Sequence, residues 1–177
     1  MTSFVVGILG LGAIALIAGF LLPSQVHVER QTLINASPEK VFDRISDFNA
    51  WSAWSPWANI DPNATLEIQG SGVGQTMKWS SKNPNVGKGS QEITQLNAPH
   101  QLKTHLDFDE MGKSDVSFIL EPVEDKTKVT WSFDSDMREG VPLIKKPINT
   151  FFGFFMDSML GKTYEEGLSN LKTVVEG

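Results

Sequence analysis

Apolar positions recur along this chain in three rhythms. The first is unbroken. Phe4 to Leu22 reads FVVGILGLGAIALIAGFLL, without a single charge. At 1.5 Å rise per residue such a run spans about 28 Å, close to the roughly 30 Å hydrocarbon core of a bilayer. Pro23 and Ser24 end it. The run leaves no polar face for a buried core helix. Met1-Thr2-Ser3 carries no Lys or Arg, and the small pair Ala13/Ala15 lies inside the apolar stretch, so an uncleaved anchor is expected rather than a signal peptide. Ala15 and Gly19 form a small-xxx-small pair that could pack two anchors together.

The second rhythm is alternation. Val26, Val28 and Arg30 share one face of a strand predicted over 25–36. TLEIQG and GQTMKWSS flank a turn containing Gly70, Gly72 and Gly74. Val86–Leu96 alternates late in its run. Leu102, Leu106 and Phe108 then oppose Lys103, His105 and Asp107. Val116, Phe118 and Leu120 repeat the pattern, as do Val129, Trp131 and Phe133. Polar turns at Asn83–Asn85, Asn97–Pro99, Asp109–Lys113 and Glu124–Lys126 separate these strands. The result is an antiparallel meander with one buried face.

The third rhythm is helical. Ser37, Pro38 and Glu39 suit a helix start, and Val41, Phe42, Ile45 and Phe48 follow at helical spacing. A second short segment, AWSAWSPW, stops at Pro56 and sets Trp51, Trp54 and Trp57 three apart. Core packing, a ligand mouth and a membrane contact are all open to these tryptophans. After Pro142 and Pro147, the positions Ile148, Phe152, Phe155, Met159, Tyr164, Leu168, Leu171 and Val175 predict one long C-terminal helix. Within INTFFGFFMDSML the phenylalanines cannot all face a sheet, so Ile148–Leu160 is expected to form a movable cover, loosened at Gly153 and Gly161.

Composition then narrows the chemistry. Of 177 residues none is cysteine, which excludes disulfides, thiolate metal sites and a Cys nucleophile. The formal charge is −6, against the basic face that nucleic acid requires. The three histidines, His27, His100 and His105, show no metal spacing, and no catalytic residue, metal site or cofactor is expected. Asp107, Asp109 and Glu110 beside His105 read as a solvated turn. The glycines at 70, 72, 74, 87 and 89 lack the helix that a phosphate loop requires. Arg30 and Lys40 against an N-terminal flank without Lys or Arg place the C-terminal domain in the cytoplasm.

Residues 1–23 are thus expected as a transmembrane anchor and 24–177 as one α+β domain, a curved antiparallel sheet around a C-terminal helix. The order of elements, together with Ala36-Ser37-Pro38-Glu39-Lys40-Val41-Phe42, Asp47-Phe48, Trp51–Trp57, Asp61-Pro62 and Gly161 with Tyr164–Leu168 and Asn170-Leu171, resembles the START-like helix-grip superfamily, which includes polyketide cyclases, dehydratases and lipid carriers. The likeness covers residues 24–176 and is nearest to bacterial members with an N-terminal membrane helix. It implies a cavity between sheet and helix, with Trp54, Met77, Trp79, Leu106, Phe108, Phe118, Trp131, Phe133, Phe152, Phe155 and Met159 as candidate ligand-binding residues. The implied function is a membrane-tethered module for an apolar or amphipathic small molecule, lipid or polyketide-like, in a cavity of about 300–1,000 Å³. The alternatives are a cyclase or dehydratase using the same cavity, and an interaction domain with a filled core. An enzyme would need a buried acid or base, and Glu92 has the wrong parity if Gln91 and Ile93 face inward.

Overall fold

A computed structural model describes residues 16–177. The expected anchor lies mostly outside the described residues. Of it, residues 16–21 are helical, and among the described residues no helix is long and apolar enough to cross a membrane.

The remaining chain folds as β1 (Gln25–Ile34), α1 (Pro38–Ile45), a 3-10 turn (Phe48–Ala53), α2 (Pro56–Ile60), then β2 (Thr65–Gln69), β3 (Thr76–Ser80), β4 (Lys88–Asn97), β5 (Gln101–Asp107), β6 (Lys113–Val123) and β7 (Lys126–Asp136). Two helices close it, α3 (Lys146–Gly153) and α4 (Met156–Glu176). The seven strands form one antiparallel sheet in the order β1-β7-β6-β5-β4-β3-β2, so the meander predicted from alternation is present.

Parity sets the faces. Val28, Phe133, Val116 and Thr104 lie in one transverse row, and Arg30, Trp131, Phe118 and Leu102 in the next. These rows form the concave side. α1 lays Val41, Phe42 and Ile45 on the core, and Phe48, Trp51 and Trp54 follow from the 3-10 turn. Both indoles are satisfied as they go under: Trp51 Nε1 donates to the Ile45 carbonyl at 2.8 Å and Trp54 Nε1 to the Arg44 carbonyl at 2.9 Å. Ser37 does occupy the N-cap of α1, although its side chain caps no N–H; Asp47 caps the 3-10 turn by accepting from Asn49. Buried Gln75 ties that turn to the glycine turn, accepting from Phe48 N and donating to Asp47. Gly70, Gly72 and Gly74 all have φ between 64° and 88°, where an L side chain would be strained, so their role is the turn itself.

The long C-terminal helix is present as α4, but it starts only at Met156. The apolar stretch before it is a separate helix, α3, set off by i→i+3 bonds from Phe154 N to Phe151 O and from Phe155 N to Phe152 O. At the break Gly153 approaches β1 so closely that a Cβ would lie 2.9 Å from the Val26 side chain and 3.0 Å from that of Met137. From there α4 follows β1 along its length. Gly161 passes over Arg30, Lys172 Nζ reaches the Leu33 carbonyl, and the Glu176 carboxylate accepts from Asn35 N. Apolar periodicity runs through both helices but only the second half is buried: Tyr164, Leu168, Leu171 and Val175 are core, while Ile148, Phe152, Phe155 and Met159 are exposed.

Gly161 is a crossing point rather than a loosened hinge. Arg30, rising from the concave face of β1, fills the space where its side chain would be and bonds Asp157 and Glu165 on either side, at 2.8 Å each. The guanidinium holds the Asp157 carboxyl below its ordinary range. Gly19 packs against its own chain, where a Cβ would lie 2.6 Å from Pro147 Cβ; its expected pair-mate Ala15 lies outside the described residues.

Candidate functional site

The centre of the concave face is occupied by the protein itself. The Tyr164 ring stacks on Trp131 with centroids 3.9 Å apart, and Phe118 stacks on the same indole at 4.8 Å. Trp54 meets Trp131 edge-on at 5.6 Å, and Trp57 at 6.0 Å. Burial pushes the Tyr164 phenol far above its ordinary pKa, so it stays neutral. Trp131 Nε1 is buried without a hydrogen-bond partner among the described residues. Of the candidate ligand-binding residues, Trp54, Phe118, Trp131 and Phe133 therefore belong to a packed core. Trp51 and Trp54 are core and Trp57 is half-buried at its edge, which resolves the tryptophan spacing.

The sheet is covered less completely toward the α3–α4 break. There the register aligns Ser114, Leu106, Gln91, Met77 and Ile68 across β6 to β2. Ser135, one residue past the Asp115–Asp134 pair, continues the row on β7, and Val26 lies opposite it on β1, under Gly153. Outside this row Trp79 stands between Gly89 and Leu66, with Phe108 edge-on to it at 5.7 Å. Gly89 is needed here, because a Cβ would lie 2.5 Å from the Trp79 ring. Met77, Trp79, Leu106 and Phe108 are all half-buried. They form an apolar wall at the rim of the core. Half-buried Met156 and Leu160 pack against the same core, and Phe152, Phe155 and Met159 are exposed.

This wall has a polar interior that the sequence reading did not single out. Gln91, Thr104, Ser114 and Ser135 are buried. Gln91 Nε2 donates to Thr104 Oγ1 at 2.7 Å, and Ser135 Oγ to the Lys113 carbonyl at 2.9 Å. The available signal was their inward parity in otherwise apolar strands. An apolar wall leading to hydroxyls and an amide suits a molecule with one greasy and one polar end. An open cleft of about 210 Å³ lies beside the break at the β1 edge, lined by Gln25, Val26, His27, Thr150, Gly153, Phe154 and Asp157 and by none of the wall residues, and it is smaller than the expected cavity.

The convex face pairs two of the histidines with aspartates. His27 Nδ1 lies 2.7 Å from Asp134, and His105 Nδ1 lies 2.8 Å from Asp115. Asp115 and Asp134 are themselves cross-strand neighbours, so two of the three histidines are partnered. The hydrogen bond from Asp134 raises the His27 pKa from 6.5. A raised pKa means that this pair supports the fold below about pH 6.5 and that the contribution fades as pH rises through the folded value. In Asp134→Asn the His27 titration, followed by the NMR shift of its ring protons, should move to lower pH; an unmoved midpoint would mean that the pair is not formed in solution.

The acids of the β5–β6 turn each hold a lysine. Asp107 pairs with Lys113 at 3.2 Å, Asp109 with Lys88 at 3.0 Å and Glu110 with Lys145 at 2.7 Å. Lys113 holds the Asp107 carboxyl and Lys145 the Glu110 carboxyl below their ordinary values, and Asp109 raises the Lys88 ammonium. The turn is solvated, as expected, and it also ties β5 to the start of α3. Glu92 is exposed and Gln91 and Ile93 are buried, as parity required.

Residues 25–176 match the family described as polyketide cyclase / dehydrase and lipid transport, and the chain belongs to that family. A START superfamily protein from Mycobacterium smegmatis has the same fold, with a TM-score of 0.60 at 19% identity over 85% of this chain and 97% of that one. The protein Ara h 8.0201 is similar at a TM-score of 0.58 and 15% identity, over 85% and 97% of the two chains. A protein from Arthrobacter aurescens gives 0.58 at 19% identity, over 84% and 87%. A search of curated protein sequences found no match. Family and fold together define a START-like, helix-grip protein.

Proposed function

We propose that this chain is a membrane-tethered module that takes an apolar or amphipathic small molecule, lipid-like or polyketide-like, at the α3–α4 end of its concave face. The observation that carries the reading is the half-covered wall of Met77, Trp79, Leu106 and Phe108 leading to buried Gln91, Thr104, Ser114 and Ser135. Apolar burial, at about 25 cal/mol per Å², supplies affinity there, and the amide and hydroxyls orient the polar end. Phe152, Phe155 and Met159, exposed on and beside α3 and α4, would close over a ligand once it is seated. The uncharged run Phe4–Leu22 supports the tether, and Arg30 and Lys40 support a cytoplasmic domain.

The test is a photoreactive fatty acid carrying a diazirine, added to the full chain in lipid vesicles, with crosslinked peptides mapped by mass spectrometry. Label is expected on the peptides containing Met77–Trp79 and Leu106–Phe108. Leu106→Trp, which fills the wall, should lower that label about tenfold, the effect of roughly 1.4 kcal/mol of lost binding. Label spread evenly over the surface, or unaffected by Leu106→Trp, would refute the site.

A further inference from the structure

Exposed apolar side chains gather on α3 and the residues either side of it. Ile144 is 82% exposed, Phe152 54%, Phe154 59% and Phe155 60%. A surface of this size on one element marks a contact. The stretch from Val141 to Met156 contains two lysines, Lys145 and Lys146, and no carboxylate.

Its position is fixed by the helical residues that precede the domain. Arg138, held from below by its Nε bond to Thr150 Oγ1 at 3.0 Å, donates to the carbonyls of Gly19 at 2.8 Å and Leu22 at 2.6 Å. A cation on those terminal carbonyls satisfies acceptors that a helix end leaves free. Gly19, with no side chain, lets the same helix lie directly against Pro147 of α3. The outward residues of this helical end, Leu16, Ile17, Phe20 and Leu21, are exposed and apolar as well. The junction therefore has no slack. Gly19 is three residues before Leu22, which at 1.5 Å per residue puts α3 about 4.5 Å inward from the point where the apolar run ends. Interfacial helices bury their apolar side about 5–10 Å into the head-group boundary, and carry lysine with phenylalanine and leucine.

We propose that α3 and the break before α4 lie in the interfacial layer of the lipid bilayer, so that the mouth of the concave face is held against the membrane surface. This rests on the tethered reading above for its membrane, and adds a second, separate contact. A ligand dissolved in the bilayer would then reach the wall of Met77, Trp79, Leu106 and Phe108 without crossing water.

The absence of native cysteine makes the test clean. Phe155→Cys and, on the convex face, Lys103→Cys are each labelled with the environment-sensitive dye NBD in the full chain. The proteins are placed in vesicles of phosphatidylcholine and phosphatidylglycerol, with or without lipid spin-labelled near the head group. Both sites are exposed, so labelling should leave thermal unfolding unchanged. The expected result is a blue shift and loss of emission from spin-labelled lipid at position 155, and neither at 103. Water-like emission at 155 from chain that stays with the vesicles would overturn the second contact while leaving the tether intact. A blue shift unquenched by lipid, with disulfide crosslinking of unlabelled Phe155→Cys chains, would assign the patch to a second copy and overturn the proposal. Chain that does not stay with the vesicles would overturn both readings.

Discussion

Trp131→Ala should cost about 3–5 kcal/mol, the largest loss expected from any single substitution in this domain. The indole is 1% exposed and is touched on all sides by rings: Tyr164 and Phe118 stacked, Trp54 and Trp57 edge-on. The hole left behind cannot collapse, because these neighbours are held independently. Trp54 is bonded to the Arg44 carbonyl, and Tyr164 is on α4, which Arg30 fixes to β1. For a domain of this size the loss corresponds to roughly 6–20 °C in Tm. Trp131→Phe should lose much less. It keeps a stacked ring and removes the buried, unpartnered N–H, whose desolvation is worth about 1–3 kcal/mol. Urea unfolding of the two variants, followed by tryptophan emission, checks both values. Both variants remove the N–H, so their difference reads the ring alone, and equal losses would show that a Phe ring does not fill the space between Tyr164 and Phe118.

Gly167→Ala comes second and has the unusual sign. In an exposed helix interior this change would stabilise by about 1 kcal/mol. Here the added Cβ would lie 2.7 Å from Trp131 Cζ3 and 3.0 Å from Pro56 Cδ. Neither neighbour is the loose end of a flexible chain, so overpacking of about 1–3 kcal/mol outweighs the gain and the variant should be less stable. Gly161→Ala is the internal comparison. Its obstacle is the guanidinium of Arg30, which can swing aside at the expense of two ion pairs whose acids are mostly exposed. It should be close to neutral. If Gly167→Ala proved at least as stable as the wild type, α4 would have to stand further from the sheet than described.

Much of the fold was legible because alternation is a strong signal when one face is fully buried. Phe118 and Trp131 face the concave side for the same reason that Ser117 and Ser132 face the convex side, where the two hydroxyls bond each other, and a slip of one residue would put the serines in the apolar core. The helix start at Pro38 was legible from its own chemistry. The division of the C-terminal helix was not. Ile148, Phe152 and Phe155 keep the same spacing as Leu168, Leu171 and Val175, and spacing reports that a face is apolar without reporting what covers it. The break comes from a tertiary approach, Gly153 against Val26 and Met137, between residues far apart in sequence. The candidate site divides in the same way. Strand parity brought Met77, Trp79, Leu106 and Phe108 to one side, but it equally selected Phe118, Trp131 and Phe133, which pack on one another. Which inward residues border a gap depends on where α1, the 3-10 turn and α4 come to rest. The two His–Asp pairs were missed because their partners are set by register across strands rather than by local spacing.

The grip of Arg138 on the carbonyls of Gly19 and Leu22 bears on how this protein can be dissected. A fragment beginning at Ser24 would not be the same domain with a handle removed. It would carry a partly buried guanidinium stripped of two acceptors, and a bare Pro147 where Gly19 had rested. Water would have to enter or α3 would have to shift, and both changes fall at the mouth of the concave face. Behaviour measured on such a fragment would describe an entrance that the intact chain does not have.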